Sequence, residues 1–244
     1  MPQMSAFRLI GHEWPIESPI PERSNHRDIA TPDAVRTSRS RLLPASLITV
    51  WMVAACAGLF ALFRYETRDG VAASPPGNWP SSSRLYRTSG RATLVIFLHP
   101  HCPCSRASIE ELDRLLAYVH GLVTVHAVFL KPREVSSDWE VTDLWERAAS
   151  IPDVHLTADD EGIEAGFFDA ATSGQVVLYD AEDRLIFSGG ITASRGHSGD
   201  NDGRETIRAL LTGDRVRLRD RTPVFGCSLR DASIESSRGS MDVR

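Results

Sequence analysis

The sequence predicts an α/β fold: a central mixed sheet with helices on both faces, preceded by one transmembrane helix. Three observations predict it. Between Ala92 and Leu211, short β-branched apolar runs alternate with amphipathic stretches of helical period. That alternation closes on two strands joined by a short polar turn, then a last helix. Ahead of it, Leu42 to Phe63 carries no charged residue, over a length that crosses a bilayer core of about 30 Å at about 1.5 Å per residue.

Composition sets the bounds. The 244 residues, 42% of them hydrophobic, allow one or two domains with a buried core. A net charge of -5 and a pI near 5.9 give no general electrostatic case for binding nucleic acid. Four cysteines, Cys56, Cys102, Cys104 and Cys227, are too few for a disulfide-built scaffold. No internal repeat is visible.

Residues 1–41 are rich in Pro, Ser and charge without a sustained apolar period, and read as a disordered cytoplasmic tail. Its small apolar cluster, Phe7, Leu9, Ile10 and Trp14, reads as chance. Residues 42–63 read as the transmembrane helix, because a buried core helix seldom lacks charge over this length. Arg36, Arg39 and Arg41 precede it and Arg64 and Arg68 follow, a mild bias toward the N-terminus inside. The expected address is a bacterial inner membrane, single-pass, with the C-terminal domain in the periplasm or outside. Val53-Ala54-Ala55-Cys56 also resembles a lipobox, which would anchor the chain by a lipid on Cys56. The apolar run continues to Phe63, which favours an uncleaved helix with Cys56 as a small apolar residue in lipid. Residues 64–91, with Pro75-Pro76-Gly77 and Ser81-Ser82-Ser83, read as a linker.

The domain is expected over residues 92–229, with a disordered tail at 230–244. Its elements are a strand Thr93–Leu98, then a helix Pro103–His120 with Ile109, Leu112, Leu116 and Val119 on one face and Gly121 as its stop. A strand Leu122–Leu130 follows, then a helix Asp138–Ser150 carrying Trp139, Leu144, Trp145 and Ala148. Next come a short strand Val154–Leu156, a short helix Asp159–Phe168 and the strands Gln175–Tyr179 and Leu185–Ser188. The last helix is Gly203–Leu211, with Asp202 and Glu205 as its capping box. Trp139 and Trp145 read as two faces of one helix, and His120, His126 and His155 as structural.

Chemistry concentrates in Phe97-Leu98-His99-Pro100-His101-Cys102-Pro103-Cys104-Ser105. The residue before a proline avoids the α region, and proline favours the first helical position. Cys102 therefore reads as the N-cap and Pro103 as the first residue of the helix. A thiolate at Cys102 is stabilised there by the free first-turn N–H groups, which makes it the attacking sulfur. Cys104 falls inside the first turn, less accessible, as a resolving thiol. Protonated His99 and His101 would add to the stabilisation. Side chains two apart on a helix do not face each other, so a Cys102–Cys104 disulfide is expected to be strained and oxidising. The bland alternative is a pair of inert thiols or a static disulfide. A different alternative uses His99, His101, Cys102 and Cys104 as ligands for copper or zinc, although their spacing matches no zinc-finger pattern. A third is a scaffold whose site no longer acts.

Two later features bear on the motif. The loop from Gly190 to Asn201 is long, polar and glycine-rich, and loops of this kind are often functional. Its glycines do not make a nucleotide motif. Cys227 lies in an apolar patch, Val224-Phe225-Gly226-Cys227, that is expected to pack back on the domain. It reads first as a buried, inert cysteine, and second as a third redox thiol or ligand.

The order strand, cysteine motif, helix, strand, helix, hairpin, helix resembles the thioredoxin-like superfamily over residues 92–211. Phe97 and Pro103-Cys104 resemble its strand-to-helix turn. Gly174-Gln175-Val176-Val177-Leu178-Tyr179 resembles the strand after its cis-proline, and Ser188-Gly189-Gly190 the end of its last strand. The anchor and the 190–201 loop resemble membrane-tethered RedB-type bacterial proteins. The resemblance implies a thiol–disulfide oxidoreductase acting on protein thiols or disulfides without a cofactor. Its catalytic residues would be Cys102, Cys104, His101 and Pro103, with His99, Gly174, Arg195, His197, Asp200 and Cys227 around them. In this family the connection after the hairpin borders the cysteine pair, so Arg195, His197 and Asp200 could reach the sulfurs. A solvated histidine or a local ion pair in the loop are the plainer readings of the three. There are departures: only Pro103 separates the cysteines, His101 stands where the family has Trp, and Gly174 or Ser173 stands at the cis-proline. That proline helps hold a peptide, so ordinary thioredoxin substrate binding does not carry over. The alternative resemblance, to Sco-type copper-assembly proteins, implies copper or zinc delivery by the His/Cys cluster.

Overall fold

The computed structural model describes residues 36–71, 73–133, 135–214 and 219–229, with side chains from Ser46 onward. The expected tails fall outside these residues, apart from residues 36–41. The chain divides into two units, Met1–Ala54 and Ala55–Arg244. The division falls inside the first helix, α1 (Arg36–Glu66). This helix starts ahead of the expected Leu42, since the Arg-rich approach has good helix propensity. Its Ser46–Glu66 portion, 21 residues with a mean hydropathy of 2.2, is long and apolar enough to cross a membrane.

The second unit holds a five-stranded sheet in the order β3-β2-β1-β4-β5. The strands are β1 (Ala92–Leu98), β2 (Val123–Lys131), β3 (Val154–Asp160), β4 (Gln175–Tyr179) and β5 (Leu185–Gly189). β1, β2 and β3 run parallel, β4 is antiparallel to β1, and β5 pairs antiparallel to β4. The helices are α2 (Pro103–Val119), α3 (Asp143–Ala149), α4 (Ile163–Phe167) and α5 (Asp202–Thr212).

Strand side chains alternate between faces, and β1 shows both faces buried. Leu94, Ile96 and Leu98 join a core with Ile109, Leu112 and Leu115 of α2, Leu144 and Ala148 of α3 and Ile207 of α5. Val95 and Phe97 enter a second core with Ala165 of α4, Phe168, Val177 and Tyr179. β1 is therefore the central strand, covered on both sides and paired with β2 and β4.

Several expectations need correction. Residues 77–91, assigned to a linker, supply Trp79 and Leu85 to the second core. Trp79 meets Phe168 and Tyr179 edge-on at 5.0 and 5.3 Å, and the Tyr179 hydroxyl donates to the Pro76 carbonyl at 2.8 Å. The Pro and Ser content of this stretch masks its few large apolar residues. β3 runs to Asp160, past the expected Leu156, because pairing with β2 continues through Lys131. α3 begins at Asp143 rather than Asp138: Thr142 caps it by accepting from the Leu144 N–H, which leaves Trp139 in the preceding turn. The α5 cap is Asn201, one residue before the expected Asp202. Its side-chain oxygen accepts from the Arg204 N–H at 2.8 Å, while Asp202 pairs with Arg219.

Candidate functional site

β1 ends at Leu98, and five residues later α2 begins at Pro103. The turn between them closes by a bond from the Cys102 N–H to the His99 carbonyl at 3.1 Å. Two buried serines hold it from below. Ser105 donates to the His99 carbonyl at 2.9 Å, and Ser173 accepts from the His99 N–H at 2.9 Å. The two hydroxyls lie 2.8 Å apart. Cys102 takes the N-cap position with extended backbone, φ -92° and ψ 121°, and Pro103 is the first helical residue, as the sequence predicts. Its sulfur makes no capping hydrogen bond of ordinary geometry.

A second segment crosses this turn. Residues 224–229 run beside the stretch before β4. The Ser173 N–H donates to the Cys227 carbonyl at 2.8 Å, and the Leu229 N–H to the Ala171 carbonyl at 2.8 Å. Arg195 from the 190–201 loop donates through Nη1 to the Gly226 carbonyl at 2.7 Å. Gly226 fits so closely that a Cβ would stand 1.9 Å from the Ser173 carbonyl oxygen. Gly174 has φ +89°, and a Cβ there would come to 2.9 Å from Ser108 Oγ. Where the resembling family has a cis-proline, the described residues of this chain contain only trans peptide bonds.

This strap brings Cys227 to the motif. The Cys102 and Cys227 sulfurs are 2.7 Å apart. The Cys102 thiol is held down to about 4, first by a hydrogen bond from the Cys104 thiol. Burial opposes that shift, and the Cys227 thiol and the backbone N–H groups of Cys227 and Cys104 assist it. Cys104 is pushed far above the usual thiol range, first because its hydrogen is committed to Cys102 and then by burial. Cys227 is pushed up to about 11 by burial and by its bond to Cys102, against the pull of the Arg195 charge. One sulfur in the group is thus an anion at neutral pH and two are protonated.

The accessibilities reverse the expected order. Cys102 is 1% exposed, Cys104 is half-buried and Cys227 is exposed. Cys102 turns inward beneath the strap, whereas Cys104 in the first turn looks partly outward. The expectation of a buried, inert Cys227 is therefore corrected. So is the main source of thiolate stabilisation, which is a neighbouring thiol more than the free amides of the helix end.

The histidines turn elsewhere. The His99 Nδ1 accepts from the His101 N–H at 3.1 Å, and His101 Nε2 meets the Trp139 carbonyl at 3.1 Å. Both rings lie against Trp139, with centroids 5.6 and 4.5 Å away. The four proposed metal donors do not converge: among the described residues no group of three or more His, Cys, Asp or Glu is placed to hold a metal ion. Of the loop residues, Arg195 reaches the strap. The ring of His197 engages the carbonyl of Arg195 at 2.7 Å, and Asp200 pairs with Arg204. Sequence reasoning assigned Ser105 and Trp139 no role at the site, and named Ser173 only as an alternative to Gly174 at the cis-proline position. Ser105 follows Cys104 directly, so position alone could have flagged it.

No family model and no curated protein matches the chain. Solved structures do. An uncharacterised conserved protein from Geobacillus kaustophilus is 24% identical over 68% of this chain and 93% of that one, with a TM-score of 0.49. A hypothetical protein from Sinorhizobium meliloti 1021 is 22% identical over 68% of this chain and 96% of that one, with a TM-score of 0.50. The fold is thioredoxin-like. The strand order, the helices on both faces and the cysteine pair at the β1–α2 junction all fit that core. A secreted disulfide oxidoreductase from Mycobacterium tuberculosis is also similar, at 12% identity over 51% of this chain and 83% of that one, with a TM-score of 0.37. The thioredoxin-like fold and the cysteine spacing are consistent with thiol–disulfide exchange.

Proposed function

We propose that this chain is a thiol–disulfide oxidoreductase whose reactive sulfur is Cys102. It is anchored in the bacterial inner membrane by α1, as a RedB-type protein would be, with its thioredoxin-like domain outside the cytoplasm. Its partners are protein thiols and disulfides. The observation that carries the reading is the sulfur cluster at the start of α2, with Cys102 at the N-cap and the Cys227 sulfur 2.7 Å from it; neighbouring thiols hold the Cys102 thiol down to about 4. A thiolate is the nucleophile of disulfide exchange, and a thiol of low pKa is also the faster leaving group. Such a sulfur makes its disulfide a ready oxidant, because the reduced form is stabilised.

The surrounding residues have separable roles. Pro103 fixes the helix start and so the N-cap position of Cys102. The Cys104 thiol holds the Cys102 anion by a hydrogen bond. His101, with His99 and Trp139, forms an aromatic rim beside the motif where a partner can rest. A sulfur site of this kind suits an oxidising compartment, in keeping with a domain on the far side of the bilayer. Copper or zinc delivery receives no support from the arrangement of the donors.

The test is turnover of a dithiol peptide with glutathione disulfide as the oxidant, using the full chain. Cys102→Ser should reduce the rate at least 100-fold. A Cys102→Ser variant that keeps the wild-type rate would reject the reading.

A further inference from the structure

We propose that the working disulfide closes between Cys102 and Cys227, and that the exposed Cys227 sulfur is where an outside thiol enters. The inference rests on the oxidoreductase reading and goes beyond it in naming the partner sulfur and the point of entry.

Three observations converge on it. First, the two sulfurs already touch, at 2.7 Å, although 125 positions separate them in the chain. Second, Cys102 is 1% exposed, whereas Cys227 faces solvent, so a protein partner meets Cys227 first. Third, the strap is fixed on both sides of Cys227, by Arg195 on the Gly226 carbonyl, by Ser173 on the Cys227 carbonyl and by Leu229 on Ala171. The seat of Gly226 against Ser173 admits no side chain. Contact of the sulfurs is thus a built feature of the fold. The Cys104 thiol also reaches Cys102, as a hydrogen-bond donor, but it is the poorer disulfide partner, since a bond between residues two apart closes a small, strained ring.

In the oxidised chain, a substrate thiolate attacks the Cys227 sulfur. The substrate–Cys227 bond forms, the Cys102–Cys227 bond breaks, and Cys102 leaves as its stabilised thiolate. The second substrate thiolate then attacks its own sulfur in that mixed disulfide. The substrate leaves as a disulfide, two electrons poorer, and Cys227 takes up one of the two protons that the substrate thiols release. The other goes to solvent, because Cys102 stays ionised. An external disulfide, of a small thiol or of a protein, restores the oxidised chain by the same steps in reverse.

The full-length reduced protein is oxidised with glutathione disulfide, digested without reduction and mapped by mass. A peptide pair joining Cys102 to Cys227 is expected, in wild type and in Cys104→Ser alike. Cys227→Ser should slow dithiol oxidation at least tenfold. Its fold is safe to test, because the side chain is at the surface. A Cys102–Cys104 link in wild type, or wild-type turnover by Cys227→Ser, overturns this inference and leaves the oxidoreductase reading in place. A chain with no thiol that reacts under these conditions, and no loss of rate in Cys102→Ser, overturns the oxidoreductase reading and this inference with it.

Discussion

A free cysteine loses its proton near pH 9, and the neighbouring thiols hold the Cys102 thiol down to about 4. That difference links ionisation to stability, with a definite sign. Between pH 9 and 4 the unfolded chain carries the Cys102 proton and the folded chain does not. The stabilisation is complete above 9, declines as the pH falls and is gone below 4. Urea midpoints of the reduced protein should therefore fall over this range more steeply than those of Cys102→Ser. Equal slopes for the two would contradict the assignment. The position of Cys102 was legible in the sequence, because Cys-Pro after an apolar run fixes an N-cap by backbone sterics alone. Its partner was not. Cys227 stands in no local pattern with the motif, and only the folded chain brings a residue 125 positions away into contact. The burial of Cys102 was hidden for the same reason, since the strap that covers it comes from the far end of the domain.

At the scale of elements, the 190–201 loop shows what a sequence can and cannot say. Its length and polarity were plain, and a role at the sulfurs was one of its readings. In the fold, one residue of the loop, Arg195, serves the strap, and its far end is tied to α2 by Glu111. That carboxylate is fully buried. It accepts from the Gly199 N–H at 2.7 Å and from Asn201 Nδ2 at 3.1 Å, and it pairs with Arg204 of α5 and Arg114 of α2. A glutamate on an amphipathic helix normally reads as a solvent position, so nothing local marked it. Removing one side of a buried ion pair leaves the other uncompensated. Glu111→Ala should therefore cost about 3–5 kcal/mol, read as a drop in the urea midpoint, with Glu111→Gln losing less. A loss below about 1 kcal/mol in Glu111→Ala would mean that the network does not hold the loop. The helix starts show the same limit on a smaller scale. Asn201 and Asp202 are both good caps by type, and only the path of the chain chose between them.

At the scale of the whole molecule, the alternation of short strands and helices was enough to place the sheet. Parallel strands need a crossover, and the hairpin at the end needs none, so a mixed sheet with covered faces follows from the order of elements. Packing of residues 77–91 on the second face was not legible, because composition averages over Trp79 and Leu85, and these two large side chains decide it. The Leu42–Phe63 part of α1 was legible from its lack of charge, and the Ser46–Glu66 portion does have the length and hydropathy to cross a membrane. Strand order matters to the chemistry as well. With β1 in the centre and β4 beside it, the C-terminal end of β1 and the approach to β4 meet at one end of the strands. There the Ser173 backbone receives the strap, and three sulfurs gather around one anion. The claim that holds this account together is the ionised state of Cys102. It is read most directly from the thiolate absorbance near 240 nm of the reduced full-length protein as the pH is lowered from 8 to 3. The account predicts one thiolate that persists to a midpoint near pH 4 and is absent from Cys102→Ser. A spectrum without thiolate at pH 7, with all titration near 8.5–9, would contradict it.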